Sequence, residues 1–146
     1  MAQTSIIDRI RALALPDDQY IVAGSGVMDA LGLRESRDID LIVSPGLFEE
    51  LRVRGWKRFI EHDEYVLKYG DAEAWLTFPY DGRAMTRDDL LAHSVQIEEV
   101  TFVSPEFLRD WKQAKQRPKD IKDIELLDEY LRGKKKKKRP SYWRII

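Results

Sequence analysis

The sequence predicts an α/β (α+β) fold, a mixed β-sheet flanked by helices with further helices at the C-terminus, on three observations. A short apolar run, Tyr20-Ile21-Val22-Ala23, stops at Gly24-Ser25-Gly26, after which Val27 to Leu33 suits a short helix. A second strand-like run, Asp38 to Val43, is closed by Ser44-Pro45, a capping hydroxyl followed by proline at the first helical position. From Gly55 the apolar period becomes that of strands, and Ser104-Pro105 and Pro118 then each open a helical pattern.

Taken in order, Ser5 with Asp8 three residues on resembles a capping box, and Ile6, Ile10 and Leu13 recur at helical spacing, so a helix is expected over 5–14, ended by Pro16. Strand 20–23, the glycine turn and helix 27–33 follow, then a polar link 34–37, strand 38–43 and a helix from Pro45 to Arg54. Strands are expected over 56–60, 64–69 and 72–78, with His62-Asp63 and Gly70-Asp71 as turns. Thr86 and Asp89 open a short helix to His93, 95–103 is extended, and Ser104-Pro105 caps a helix to Gln116. The last helix is expected to end at Arg132. Along it Asp120, Ile124, Leu127 and Leu131 fall on one stripe, so the apolar face begins with an inward carboxylate.

The chain of 146 residues has the length of one domain, expected over 1–133, with a basic, flexible tail over 134–146. The formal charge of −1 hides an asymmetry. The last 13 residues hold seven Lys or Arg and no acid, leaving 18 basic and 26 acidic side chains, a charge of −8, in the body. With no cysteine there is no disulfide, thiolate nucleophile or Cys-type zinc site, and two histidines, His62 and His93, do not make a zinc cage. Neither has a neighbour arrangement that suggests nucleophilic catalysis. No apolar run approaches the roughly 20 residues of a membrane span and the N-terminus lacks a leader pattern, so a cytoplasmic protein is expected.

The chemistry is concentrated between Val22 and Val43. Asp38 and Asp40 are alternate residues of one strand, so both carboxylates project on one face about 7 Å apart at their α-carbons. Oxygen ligands at that separation suit a hard divalent cation, Mg²⁺ or Mn²⁺, which takes one or two carboxylates and completes its shell with water and substrate phosphates. The Gly24-Ser25 turn supplies backbone N–H groups and a hydroxyl for an anion.

In this order and spacing, Gly24-Ser25 and Asp38-Ile39-Asp40-Leu41 resemble the signature of the polymerase-β-like nucleotidyltransferase superfamily. The stretch from Ser104-Pro105-Glu106 through Trp111-Lys112, with Arg117-Pro118-Lys119-Asp120-Ile121 and Asp123-Ile124, looks like the C-terminal helices of its small stand-alone members, including AbiEii-type toxin nucleotidyltransferases. The resemblance covers roughly residues 20–44 and 100–131. It implies an enzyme that moves a nucleoside monophosphate from an NTP to a hydroxyl with release of pyrophosphate. Asp38 and Asp40 would hold Mg²⁺ against the triphosphate, and Gly24 and Ser25 would contact its phosphates. A third carboxylate on a later strand completes such a site; here Asp71 and Glu73 lie on one strand face, and Glu73, inside the strand between alanines, is preferred to Asp71 in a turn. Lys112 and Lys119 are the candidate triphosphate cations, Asp120 or Asp123 would fix one of them or meet the nucleotide, and Arg34 and Arg37 could also approach phosphates.

Trp56, Trp75 and Trp111 read as packing residues. The tail adds Tyr142-Trp143 to its lysines, a composition for binding nucleic-acid phosphates with aromatic stacking on bases. The acceptor is therefore open between RNA, a protein side chain and a small molecule, with a homodimer or an antitoxin as possible partner. Two other function classes compete: a non-catalytic nucleotide-binding or toxin–antitoxin protein on the same fold, and a nucleic-acid-binding module driven by the tail.

Overall fold

A computed structural model describes residues 5–143, with side chains through Lys134. The chain divides at Ser104/Pro105 into two compact units. In the first, helix α1 (Ile6–Arg11) is capped by Ser5, whose Oγ accepts from the Asp8 N–H at 3.1 Å. A 3₁₀ turn (Asp17–Gln19) leads into β1 (Tyr20–Ala23), and the glycine turn into α2 (Gly26–Ala30). Then come β2 (Ile39–Val43), α3 (Pro45–Val53), β3 (Lys57–Glu61), β4 (Glu64–Tyr69) and β5 (Ala72–Trp75). β6 (Phe78–Tyr80), β7 (Arg83–Met85), α4 (Arg87–Leu90), a 3₁₀ turn (Leu91–His93), β8 (Ser94–Ile97) and β9 (Val100–Val103) complete this unit.

Seven strands form one sheet in the order β3-β4-β5-β2-β1-β9-β8, with β2–β5 and β1–β9 parallel and the other pairs antiparallel. The expected mixed α/β sheet is present. β1 lies near the middle and is buried at every position, which is why it reads as an unbroken apolar run. Ile6, Ile7 and Ile10 of α1 and Leu47 and Leu51 of α3 bury their apolar stripes in this core. The Ser44-Pro45 start behaves as expected: Ser44 Oγ accepts from the Leu47 N–H at 3.1 Å. Thr86 and Asp89 form a full capping box on α4.

Two hairpins depart from expectation. The strand expected over 72–78 ends at Trp75, and Phe78–Tyr80 instead pairs with Arg83–Met85 in a separate two-stranded sheet around Asp81-Gly82. The stretch 95–103 is a tight hairpin whose turn residues Glu98 and Glu99 both have positive φ, at 49° and 70°. His62 and Asp63, the expected turn of the β3–β4 hairpin, adopt the same left-handed geometry.

The second unit consists of α5 (Pro105–Lys115) and α6 (Asp120–Trp143). The expected stripe is seen in α6: Asp120 and Leu127 are fully buried. α6 runs past its expected end at Arg132; the side chains from 135 onward, and with them the expected contacts of the basic tail, lie outside the described residues. Among the described residues no helix is long and apolar enough to cross a membrane.

Candidate active site

The sheet register builds one row of side chains. Ala23 of β1 pairs with Asp40 of β2, Asp40 with Glu73 of β5, and Glu73 with Lys68 of β4. Directly paired residues of neighbouring strands project on the same face, so Asp40, Glu73 and Lys68 stand side by side across three strands. Asp38, two residues before Asp40 and just outside β2, is exposed. It acts electrostatically on both Asp40 and Glu73.

Gly24 closes the row at its β1 end. Its φ is +64°, and a Cβ built on it would lie 2.7 Å from Asp40 Oδ2. Glycine is required here twice, for the left-handed backbone and because the carboxylate occupies the space of a side chain. Beside it the Ser25 hydroxyl accepts from Arg34 Nη2 at 2.7 Å. α2, which starts after Ser25, is only five residues long. Its dipole adds little, so an anion at this turn would depend on Gly24 and Ser25 themselves.

The electrostatics follow from this crowding. Burial, then the charge of Glu73, then that of Asp38, push the Asp40 carboxyl up to about 6. Glu73 is also raised: burial outweighs the opposing pull of Lys68, with Glu61 and Asp38 adding to the rise. Lys68 sits between two acids, bonded to Glu61 and 3.8 Å from Glu73 Oε1. The hydrogen bond to Glu61 is the main reason its ammonium is held above the usual lysine value.

The donor set is oxygen only. Among the described residues no three His, Cys, Asp or Glu side chains converge as a ready-made metal cage. A cation such as Mg²⁺ takes one or two carboxylates and fills its shell from water and phosphate, so Asp38 and Asp40 are the residues that could hold one. A cation there would also relieve the repulsion that raises Asp40.

Asp71, the other candidate third carboxylate, has a different set of contacts. Its side chain faces Arg37 Nε at 3.8 Å and Arg9 Nη2 at 4.0 Å, and its carbonyl accepts from the Ile39 N–H at 2.9 Å. It belongs to a clamp whose members are remote in sequence, with Arg9 of α1 at its centre. Arg9 donates from Nη1 to the Ser36 carbonyl at 3.0 Å and from Nη2 to the Arg37 carbonyl. The Ser36 N–H donates to Asp29 Oδ2 at 2.7 Å, and Ser36 Oγ donates to the Asp38 carbonyl at 3.0 Å. Three elements thus hold the backbone that delivers Asp38. Ser36, a small polar residue in a charged link, is buried there.

In the second unit Lys112 is 3% exposed and lies between Asp120 Oδ1 at 3.2 Å and Asp123 Oδ2 at 3.0 Å. Arg117 meets Asp120 through Nε at 2.7 Å and Nη2 at 3.0 Å. Burial pushes the Asp120 carboxyl up, but the hydrogen bonds from Arg117 and Lys112 outweigh it and hold the group below its usual value. Lys112 is therefore an internal cation of the helix pair, fixed by Asp120 and Asp123, the two acids expected to hold one of the candidate lysines. Lys119 is exposed. Trp111 packs beneath Lys112, Lys115 and Arg117, each 4.9–5.9 Å from its ring centre.

A mixed sheet carrying an Asp-x-Asp strand beside a Gly-Ser turn defines a nucleotidyltransferase-like fold. Two solved structures share it: the crystal structure of ANT(2″)-Ia in complex with adenylyl-2″-tobramycin, and the solution structure of the antibiotic-resistance factor ANT(2″)-Ia. Each is 19% identical to this chain with a TM-score of 0.53; the matches cover 96% of this chain and 93% and 88% of those chains. No protein-family model matches the sequence, and no curated protein matches it significantly.

Proposed function

We propose that this protein is a divalent-metal-dependent nucleotidyltransferase that moves a nucleoside monophosphate from an NTP to a hydroxyl acceptor. The observation that carries the reading is the packing of Asp40 against Gly24 on one side and beside Glu73 on the other. Asp38, Asp40 and Glu73 would hold Mg²⁺ or Mn²⁺, which when bound neutralises triphosphate charge and makes an acceptor hydroxyl more acidic. Gly24, through its backbone, and Ser25, through its hydroxyl, would bind phosphate oxygens, and Arg34, which donates to the Ser25 hydroxyl, would follow them. Glu73 takes the proton of the acceptor hydroxyl, whose oxygen bonds to the α-phosphorus as the bond to the pyrophosphate oxygen breaks.

ANT(2″)-Ia was solved with an adenylylated small molecule, which supports ATP as donor and a small hydroxylated acceptor ahead of RNA or a protein side chain. Lys112, Asp120 and Asp123 are assigned to holding α5 on α6, and Lys119 remains the candidate triphosphate cation of this unit. The assay is transfer from α-labelled NTP with Mg²⁺ into a panel of hydroxylated acceptors: transfer by the wild type and its loss in Asp40→Asn supports the reading, and wild-type-like transfer by that variant overturns it. A second reading, nucleotide binding without transfer in a toxin–antitoxin or sensing role, is favoured by the contact of Glu73 with an ammonium in place of an open site. Calorimetric binding of a non-hydrolysable NTP with no transfer to any acceptor selects it. If RNA is the acceptor, deleting 134–146 should abolish RNA binding and its steep salt dependence.

A further inference from the structure

We propose that β3 is a self-recognition edge, through which two copies of this chain pair antiparallel about Phe59 and join their sheets into one. β3 ends the seven-stranded sheet and, among the described residues, is bonded on one side only, to β4. It carries two exposed apolar side chains on opposite faces, Phe59 at 45% and Ile60 at 68%, with Tyr65 of β4 at 51% beside Ile60. A flat edge with unpaired backbone groups and exposed apolar side chains is a template for another strand.

The occupant follows from the charges. Within the β3–β4 hairpin like charges face each other: Lys57 is paired with Lys68 at one end and Glu61 with Glu64 at the other. Directly opposed like charges are unfavourable. Inside one copy the diagonal contact of Lys68 with Glu61 relieves part of this. A twofold axis at Phe59 would set Lys57 against Glu61 of the second copy, twice, so that each basic pair continues into an acidic pair. On the same face the two Phe59 rings meet as a cross-strand aromatic pair. On the other face Arg58, whose guanidinium covers its own Tyr65 ring at 4.7 Å, falls opposite Ile60 of the copy and lays its aliphatic stem over it. Every charged residue of β3 gains a suitable neighbour, and both exposed apolar residues are covered.

A single short strand pair is a small interface, so a weak, concentration-dependent dimer is expected. The pairing does not depend on nucleotidyl transfer, and its test is separate. Sedimentation equilibrium of the full chain should show a reversible monomer–dimer equilibrium. Lys57→Glu and Glu61→Lys should each weaken self-association by about tenfold or more, because attraction becomes repulsion at both ends. Mixed in equal amounts, the two variants should recover dimers, since each then supplies the charges that the other lacks. Circular dichroism and melting of each variant confirm that it is folded. A wild type that stays monomeric at several hundred micromolar, or variants that dimerise alone as well as they do together, would overturn the proposal.

Discussion

Gly24 and Asp40 occupy one another's space: the position a Cβ would take on Gly24 lies 2.7 Å from the Asp40 carboxylate oxygen, and Gly24 itself is left-handed at φ +64°. Gly24→Ala should therefore destabilise the fold by about 1–2 kcal/mol from the backbone alone, with more from displacing the carboxylate. Thermal unfolding measures the first effect. Calorimetry with a non-hydrolysable NTP and Mg²⁺ should show nucleotide binding lost in the variant even where it is fully folded.

Asp40→Asn should reduce transfer by about 10²–10³-fold while making the protein more stable. The sign follows from the direction of the shift. A carboxyl raised from 3.8 to about 6 on folding is harder to ionise in the native state. It costs stability at every pH above the folded value, and the cost fades as pH falls through 6 toward 4. The asparagine variant should gain about 1–3 kcal/mol at pH 7.5 and nothing near pH 4, read from denaturant unfolding at the two pH values.

Lys112→Met should cost about 1.5–3 kcal/mol, because it removes the ammonium that the buried Asp120 and Asp123 carboxylates share while Arg117 keeps its hold on Asp120. In the wild type the depressed Asp120 contributes stability that is present above the usual carboxyl value and lost as pH falls through its lower folded value. That acid-labile component should shrink in the variant, and urea titrations between pH 2 and 7 would show it.

Arg9→Lys should lower kcat for transfer by about 10–100-fold with a smaller change in KM for NTP, since one ammonium cannot reach both the Ser36 and Arg37 carbonyls as the guanidinium does. The loss should fall short of that in Asp40→Asn. A drop in thermal stability with kcat unchanged would mean that the clamp does not position Asp38.

What could be read from the sequence was local. The glycine turn, the Asp-x-Asp strand and the Ser-Pro helix starts each rest on a few adjacent residues whose backbone demands are distinctive. Glu73 is placed on a strand by its alanine neighbours and beside the Asp38–Asp40 pair only by the family resemblance, because the pairing of β5 with β2 across an intervening hairpin has no local sign. The β6–β7 hairpin was missed because three-residue strands are too short to show a period, although Asp81-Gly82 is a turn signal. The Glu98-Glu99 turn was missed because glutamate seldom adopts positive φ. The pairing of Lys112 with Asp120 or Asp123 is expected from the resemblance, but its burial is not legible locally, because a lysine on a helix is ordinarily solvated and its acid partners belong to another helix. The Arg9 clamp had no sequence sign on α1 at all: it exists only once that helix packs beside the 36–38 backbone.

The parallel pairing of β2 with β5 also bears on how the chain folds. The hairpins β3–β4 and β8–β9 bring near neighbours together and can form early, whereas β2–β5 must wait for the intervening hairpin to swing into place. Asp40 and Glu73 thus meet only at that late step, and a transition state built on the hairpins does not yet feel their repulsion. The part of the Asp40→Asn stabilisation that comes from relieving this repulsion, second to that from burial, should appear as slower unfolding and not as faster refolding.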